Sequence, residues 1–171
     1  MGQKSVSTTY LGSGVVGEFY SSEPQSVRSL ILNSASAALN VVGSVVTFVD
    51  DEDQQAGVAA STRFAGIIGL PKTLVREGLA DDLTIDNGVT VQVINRGYVF
   101  VDLPAVAAKG DYVYFSDTDG TLATIAPDGV APVGYTRVPG GTVEIFNVAV
   151  AGIGVIYVDF AGDKSDSTGT E

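Results

Sequence analysis

Short apolar runs recur along most of this chain, and residues that favour turns separate them at intervals of about 8–12 positions. The runs are rich in β-branched and aromatic residues, and several alternate apolar with polar positions. They cover residues 27–33, 44–49, 63–70, 89–95, 97–103, 111–116, 121–126, 132–136, 142–150 and 154–160. This rhythm predicts a mainly β fold: an antiparallel β-sandwich or barrel, jelly-roll-like or tulip-like, with little helix.

The connections between these runs carry recognisable turn chemistry. Gly, Asn, Asp and Pro favour tight turns because they adopt or pre-set the required backbone angles. Such turns are predicted at Asp86–Gly88, Asn95–Gly97, Asp117–Gly120 and Pro139–Gly141. Only Ser34–Asn40 and Pro71–Glu77 have a composition that suits about two helical turns each.

Composition divides the chain into three parts. Residues 1–26 are rich in Ser, Thr and Gly and are predicted to form an N-terminal arm or irregular segment, followed by a β domain over 27–161. Residues 162–171 are polar and are predicted to be a disordered tail. The arm still carries apolar side chains that could meet a neighbouring molecule or pack on the protein's own sheet: Val6, Tyr10, Leu11, Val15, Val16 and Phe19.

The residue inventory argues against most enzyme classes and against several partners. The 171 residues include no Cys and no His, which removes thiol nucleophiles, His-based triads and the usual zinc ligands. A formal charge of −11 repels nucleic-acid phosphates, so no nucleic-acid partner is expected. No apolar run is long enough for a membrane span or a signal peptide, so we expect no membrane association and synthesis in the cytoplasm.

The segment LGSGVVGEFY (11–20) contains the G-x-G-x-x-G spacing of a dinucleotide-binding turn at Gly12, Gly14 and Gly17. That motif requires a following helix, whose N-terminus holds the pyrophosphate, and an acidic residue about 20 positions further on. Serines and Pro24 follow Phe19 and Tyr20, and no Asp or Glu occurs between Pro24 and Val49. The motif therefore predicts a glycine-rich arm or loop and no cofactor.

Two acidic stretches could be calcium loops or ordinary surface loops. Asp50, Asp51, Glu52 and Asp53 are adjacent, and four neighbouring carboxylates cannot all converge on one ion. Asp117–Gly120 begins like an EF-hand loop, but Ala126 occupies the position of the required Glu. Both are interpreted as solvated turns without metal, and the loop from Asp50 to Ala60 is a second candidate contact region.

A longer pattern covers roughly residues 15–162. It includes FAGIIGLPK (Phe64–Lys72), the two runs on either side of Gly97, KGDYVYF (Lys109–Phe115) followed by an Asp-Gly turn, and a terminal hydrophobic strand. In order and spacing this pattern resembles the structural cement proteins that decorate the heads of tailed bacteriophages.

This resemblance implies a non-enzymatic β protein on the outer surface of the virion capsid. Such a protein would bind the expanded head, bridge neighbouring major capsid protein subunits and associate with itself as a dimer or trimer. The resemblance carries over no catalytic residue. Two alternatives share the composition: a tail or adhesion component of the virion, and a hydrolase that uses a pair of carboxylates.

Overall fold

The computed structural model describes residues 14–20, 25–49, 53–70, 84–145 and 148–160. These residues form nine strands. They are β1 (Ser26–Leu32), β2 (Val45–Phe48), β3 (Gln55–Gly57), β4 (Phe64–Ile68), β5 (Thr90–Leu103), β6 (Tyr112–Ser116), β7 (Leu122–Ile125), β8 (Tyr135–Ile145) and β9 (Gly152–Asp159). The prediction of a mainly β fold is confirmed.

The first five strands close into a barrel. Their order is β1-β3-β2-β4-β5, and β5 pairs back onto β1 from Ser26–Arg96 to Ile31–Thr90. The parallel pair β1–β3 makes the barrel mixed, whereas the sequence predicted antiparallel pairing throughout. Closure leaves none of these strands with a free edge, which removes the usual site of edge-to-edge aggregation.

The second half of β5 carries the same nine-stranded sheet beyond the barrel. From Arg96 to Leu103 it pairs with β9, and the order continues β9-β8-β6-β7. We call this part, from the second half of β5 to β7, the open sheet. Among the described strands β7 pairs only with β6, so the open sheet ends there.

Two bulges let the barrel strands contribute to two cores at once. The first bulge is in β4, at its pairing with β2. Thr47 of β2 pairs with Phe64 and Val46 of β2 pairs with Gly66, so Ala65 of β4 has no partner residue in β2. In β5, Asn95 is extra, because Ser26 pairs with Arg96 and Val27 with Ile94. An extra residue reverses which side chains face which side of a strand.

The first core fills the barrel, and the second joins the outside of the barrel to the inner face of the open sheet. The barrel core includes Leu30, Leu32, Val46, Phe48, Ala65, Ile68, Val91 and Val93. The second core combines barrel residues with sheet residues: Val45, Phe64, Ile67 and Ile94 with Val99, Val101, Leu103, Val113, Phe115, Val143 and Ile156. The open sheet is therefore anchored to the barrel by β5 and by this shared core.

Several sequence predictions about local structure were wrong. The predicted turns Asn95–Gly97 and Pro139–Gly141 lie inside continuous strands, because Gly97 and Gly140 adopt positive φ angles of 129° and 62° at irregularities that bend the strand without ending it. The predicted strand 132–136 covers only the start of β8. Of the predicted strand 142–150, residues 142–145 belong to β8, residues 146–147 lie outside the described residues, and Val148 forms an isolated bridge with Ala107.

The helix prediction for Ser34–Asn40 reduces to one 3₁₀ turn at Ala37–Leu39, and Pro71–Glu77 lies outside the described residues. In the part of the chain that the structure describes, no helix has the length and hydropathy to cross a membrane.

Candidate functional site

The segment Gly14–Tyr20 runs along β5 on the side opposite β9. The Gly17 amide donates to the Phe100 carbonyl over 2.8 Å, the Phe100 amide donates to the Glu18 carbonyl over 3.0 Å, and the Tyr20 amide donates to the Tyr98 carbonyl over 2.9 Å. Phe19 forms a bridge with Val99. This part of the predicted arm is thus tied to β5 by backbone hydrogen bonds and one isolated bridge.

Three of the six apolar arm residues lie in this segment. Val15, Val16 and Phe19 are half-buried. Phe19 packs against the second core, and Val16 lies against Gly43, where an added Cβ would stand 2.0 Å from a Val16 methyl group. For these two residues the structure matches the alternative of packing on the protein's own sheet. Val6, Tyr10 and Leu11 lie outside the described residues.

Gly14 and Gly17 are explained by close packing. A Cβ on Gly14 would stand 2.1 Å from the Phe100 ring. Gly17 has a φ of +81°, and a Cβ there would approach the Leu70 amide nitrogen to 2.9 Å. Only glycine allows such close approach together with positive φ. The G-x-G-x-x-G spacing is followed here by an extended segment that includes Phe19 and Tyr20.

The acidic stretch is described only at its last residue. Asp53, half-buried with a φ of 55°, forms an ion pair with Arg63 over 2.6 Å. The Arg63 guanidinium also lies 5.3 Å from the centre of the Phe48 ring, a cation–π contact at the barrel core. Asp53 thus closes the turn before β3, while Asp50, Asp51 and Glu52 lie outside the described residues.

The second acidic stretch is a hairpin turn held by its own carboxylates. Asp119 accepts the Thr121 amide over 3.0 Å, and Asp117 accepts the Thr136 hydroxyl over 2.6 Å. The hydrogen bond from the Thr121 amide, supported by the Ser116 hydroxyl, holds the pKa of Asp119 below its ordinary value. The described residues contain no group of three or more Asp and Glu placed to hold a metal ion.

The most exposed apolar surface lies on a connection that the sequence analysis did not select. β7 and β8 both run antiparallel to β6 on its two sides. The connection Ala126–Gly134 must therefore return along the length of β6, and it passes over the outer side because the inner face packs on the barrel. It holds Val130, 90% exposed, and Val133, 101% exposed.

Two further exposed valines lie at one end of the same sheet. Val106 is 66% exposed and Val150 is 71% exposed. The bridge between Ala107 and Val148 places their two loops side by side, and the Thr124 hydroxyl of β7 donates to the Val106 carbonyl over 3.4 Å. We call Val106, Val130, Val133 and Val150 the valine surface.

The valine surface differs from the exposed apolar residues of the barrel. Val27, Ile31, Val49 and Val89 are each only 41–43% exposed. Single half-exposed apolar residues are ordinary in soluble proteins. Val130 and Val133 are almost fully exposed, which makes their connection a candidate contact region. In the sequence Val133 and Val150 fall inside predicted strand runs, while Val106 and Val130 fall between runs, so periodicity could not identify them as a group. The prolines of the connection, Pro127 and Pro132, were the available signal for Val130 and Val133.

Comparison with known proteins identifies the class of protein to which this chain belongs. The family model described as Structural cement protein (E217 gp24/Pam3 gp6) matches residues 3–161. The chain therefore belongs to the phage structural cement protein family, a structural family without enzymatic activity.

A solved structure supports the fold assignment. A chain of the structure titled "The capsid of Myoviridae Phage XM1" superposes with a TM-score of 0.60 at 19% identity, covering 94% of this chain and 99% of that chain. No curated protein matches this chain. Family membership confirms the resemblance inferred from the sequence and makes the protein a component of the virion capsid, which removes the hydrolase alternative.

Proposed function

We propose that this protein binds the outer surface of the expanded phage head, where it bridges neighbouring major capsid protein subunits and stabilises the shell. Its membership of the cement family supports a place in the capsid over the tail or adhesion alternative. The observation that carries the proposal is the exposure of Val130 and Val133 on the outer side of the open sheet.

These two valines are suited to docking. Complete burial of a valine side chain contributes about 1.5–3 kcal/mol, and both side chains are almost fully available. Pro127 and Pro132 lie in the same connection. Proline limits the conformations of a free loop, so ordering it on a partner costs less entropy.

Stabilisation of the shell follows from mass action. A ligand that binds only the expanded shell lowers the free energy of that state, by an amount that grows with the logarithm of ligand concentration divided by Kd. A protein that contacts two capsid subunits, or that binds as a dimer or trimer on a symmetry axis, gains avidity because its second contact forms at high effective concentration. Individually weak contacts then suffice for tight decoration.

The charge of the chain fits the outer face of the shell. The net charge of −11 would be repelled by the packaged DNA on the inner side. The most exposed valines carry no charge, so the charged surface does not prevent them from approaching an apolar patch on a capsid subunit.

The predicted contacts outside the described residues form a second part of the proposal. Val6, Tyr10 and Leu11 precede in the sequence the segment that pairs with β5, and we propose that they contact a neighbouring molecule. An extended arm can add a strand to the edge of another sheet. Asp50, Asp51 and Glu52 are proposed to face basic groups on a capsid subunit.

Co-sedimentation with the capsids of its own virus, before and after expansion, tests the proposal. We expect saturable binding to expanded shells alone, with a copy number that identifies the symmetry axis. Replacing both Val130 and Val133 by Ser should weaken this binding at least about tenfold. Val89→Ser, on a half-exposed barrel valine, is the matched control and should leave it unchanged.

Absence of binding to either form of the shell would contradict the proposal. Labelled protein that located to the tail of assembled virions would favour the alternative virion component.

A further inference from the structure

Two buried side chains and one exposed side chain form a hydrogen-bonded network between the end of β1 and the start of β5. Asn40 is fully buried, and its amide nitrogen donates to the Ile85 carbonyl and to the Asn87 amide oxygen, each over 2.9 Å. Its own amide oxygen accepts the Ser34 hydroxyl, and that hydroxyl accepts the Val58 amide over 2.8 Å. We call Ser34, Asn40 and Asn87 the asparagine clamp.

Asn87 is followed by Gly88, and this pair is chemically labile. In a flexible chain the Gly88 backbone nitrogen attacks the side-chain carbonyl carbon of Asn87, the bond to the amide nitrogen breaks, and ammonia leaves with the displaced proton. The resulting five-membered succinimide then takes up water and opens to Asp or isoaspartate. Glycine favours the reaction because it has no side chain to hinder the approach.

The fold engages every group that this reaction needs. The Gly88 amide, which would be the nucleophile, donates to the Leu32 carbonyl over 2.7 Å. The Asn87 amide oxygen accepts the Ser34 backbone amide over 3.0 Å in addition to Asn40, and the Asn87 amide nitrogen donates to the Ser34 carbonyl over 2.8 Å. Asn87 is exposed as a residue, so these hydrogen bonds, and not exclusion of water, restrain it.

We propose that the asparagine clamp protects the Asn87–Gly88 pair from deamidation and that Asn87 is converted only when the segment 84–88 opens. The conversion would weaken the clamp. The product has an anionic oxygen in place of the nitrogen that donates to the Ser34 carbonyl, so this hydrogen bond is lost and two oxygens face each other. Isoaspartate also lengthens the backbone, so we expect the converted segment 84–88 to open more readily than before.

Peptide mass spectrometry on the full chain, incubated at mildly alkaline pH, measures this conversion directly. We expect conversion at Asn87 to be at least about tenfold slower in the folded protein than in denaturant, because only the open fraction reacts. Asn40→Ala removes the buried donor to Asn87 and should raise the folded-state rate roughly tenfold. Ser34→Ala, a smaller change, should raise it less.

Ser61→Ala is the matched control. Its hydroxyl donates to the Phe48 carbonyl over 2.7 Å and accepts the Arg63 amide over 3.1 Å, so it also joins barrel segments but does not contact Asn87. We expect no change in the Asn87 rate beyond the change in global stability, measured by denaturant unfolding. Equal rates in folded and unfolded wild type, or clamp variants no faster than Ser61→Ala at equal stability, would overturn the proposal.

Discussion

The barrel and the open sheet contain similar numbers of strands but meet solvent in different ways. The barrel strands pair in a ring, and the exposed barrel residues Val27, Ile31, Val49 and Val89 are only 41–43% exposed. The open sheet ends at β7 and carries the valine surface, with exposures from 66% to 101%. In the function we propose, the barrel is the support and the open sheet makes the contact, with β5 joining the two.

The largest expected loss of stability comes from truncating a core phenylalanine, and it tests whether the barrel and the open sheet unfold as one unit. Phe48 lies in the barrel core and Phe115 in the second core, both at most 2% exposed. Replacing either by Ala should lower the free energy of unfolding by about 3–5 kcal/mol. Because β5 and the shared core link the two parts, each substitution should lower the urea midpoint of unfolding by the same amount in the barrel and in the open sheet.

Tyrosine fluorescence distinguishes the parts. All described tyrosines lie on the open sheet or on the segment paired with it: Tyr20, Tyr98, Tyr112, Tyr114, Tyr135 and Tyr157. Circular dichroism reports on both parts. If Phe48→Ala shifted the circular dichroism midpoint but left the tyrosine midpoint unchanged, the barrel and the open sheet would be independent units.

The next largest loss of stability is expected from a substitution at Gly66, beside the bulge in β4 that directs side chains to both cores. Gly66 has a φ of +151°, and a Cβ there would stand 2.4 Å from the Ile94 carbonyl oxygen. Gly66→Ala should therefore lower the free energy of unfolding by about 3 kcal/mol or more, through backbone strain and displacement of β5.

Gly110→Ala is the control for this glycine. Gly110 also has a positive φ, +92°, but a Cβ there would meet nothing within 4 Å. Gly110→Ala should lower the free energy of unfolding by only about 1–2 kcal/mol, because alanine is strained in this backbone conformation. Equal losses at the two positions, measured by urea unfolding, would show that the bulge is not packed as described.

Substitutions in the valine surface should leave the free energy of unfolding almost unchanged. Replacing Val130 and Val133 by Ser should change the free energy of unfolding by less than about 0.5 kcal/mol, because these side chains are already in water. Thermal unfolding measures this, with Val113→Ser in the buried core as the destabilising counterpart. A loss comparable to that of Val113→Ser would mean that the connection supports the fold itself.

The smallest effect is a pH dependence at the β6–β7 turn. The Thr121 amide lowers the pKa of Asp119 in the folded protein, so its stabilising contribution is complete above the unfolded pKa of about 3.9 and is lost as pH falls through the folded pKa. Solvent screening should keep the effect below about 1 kcal/mol. Comparing unfolding of wild type and Asp119→Asn from neutral to acidic pH measures it. A difference that grew on acidification would contradict this assignment.

Sequence reasoning identified the fold class because most strands are long enough to show a pattern. It missed β3, whose three residues, Gln55–Gly57, are too short for any periodicity. It also divided β5 and β8 at Gly97 and Gly140, because a glycine with positive φ inside a bulged strand looks like a turn residue. Barrel closure was equally hidden, since the pairing of Ser26 with Arg96 joins distant parts of the chain.

The candidate site was less predictable than the fold. For Val16 and Phe19 the sequence left two alternatives open, contact with a neighbour or packing on the protein's own sheet, because it does not show that residues 14–20 pair with β5. Val130 and Val133 looked like the approach to a strand, since only the parallel placement of β7 and β8 around β6 brings their connection to the outer side. Exposure depends on such long-range pairing, which local pattern does not contain.

Hydrogen exchange of the protein, free and bound to expanded capsids, tests the division between support and contact most directly. The account predicts new protection on binding in residues 104–107, 126–134 and 148–151, with barrel strands β1 and β3 unchanged. New protection confined to β1 and β3, with residues 126–134 exchanging as fast as in the free protein, would contradict it.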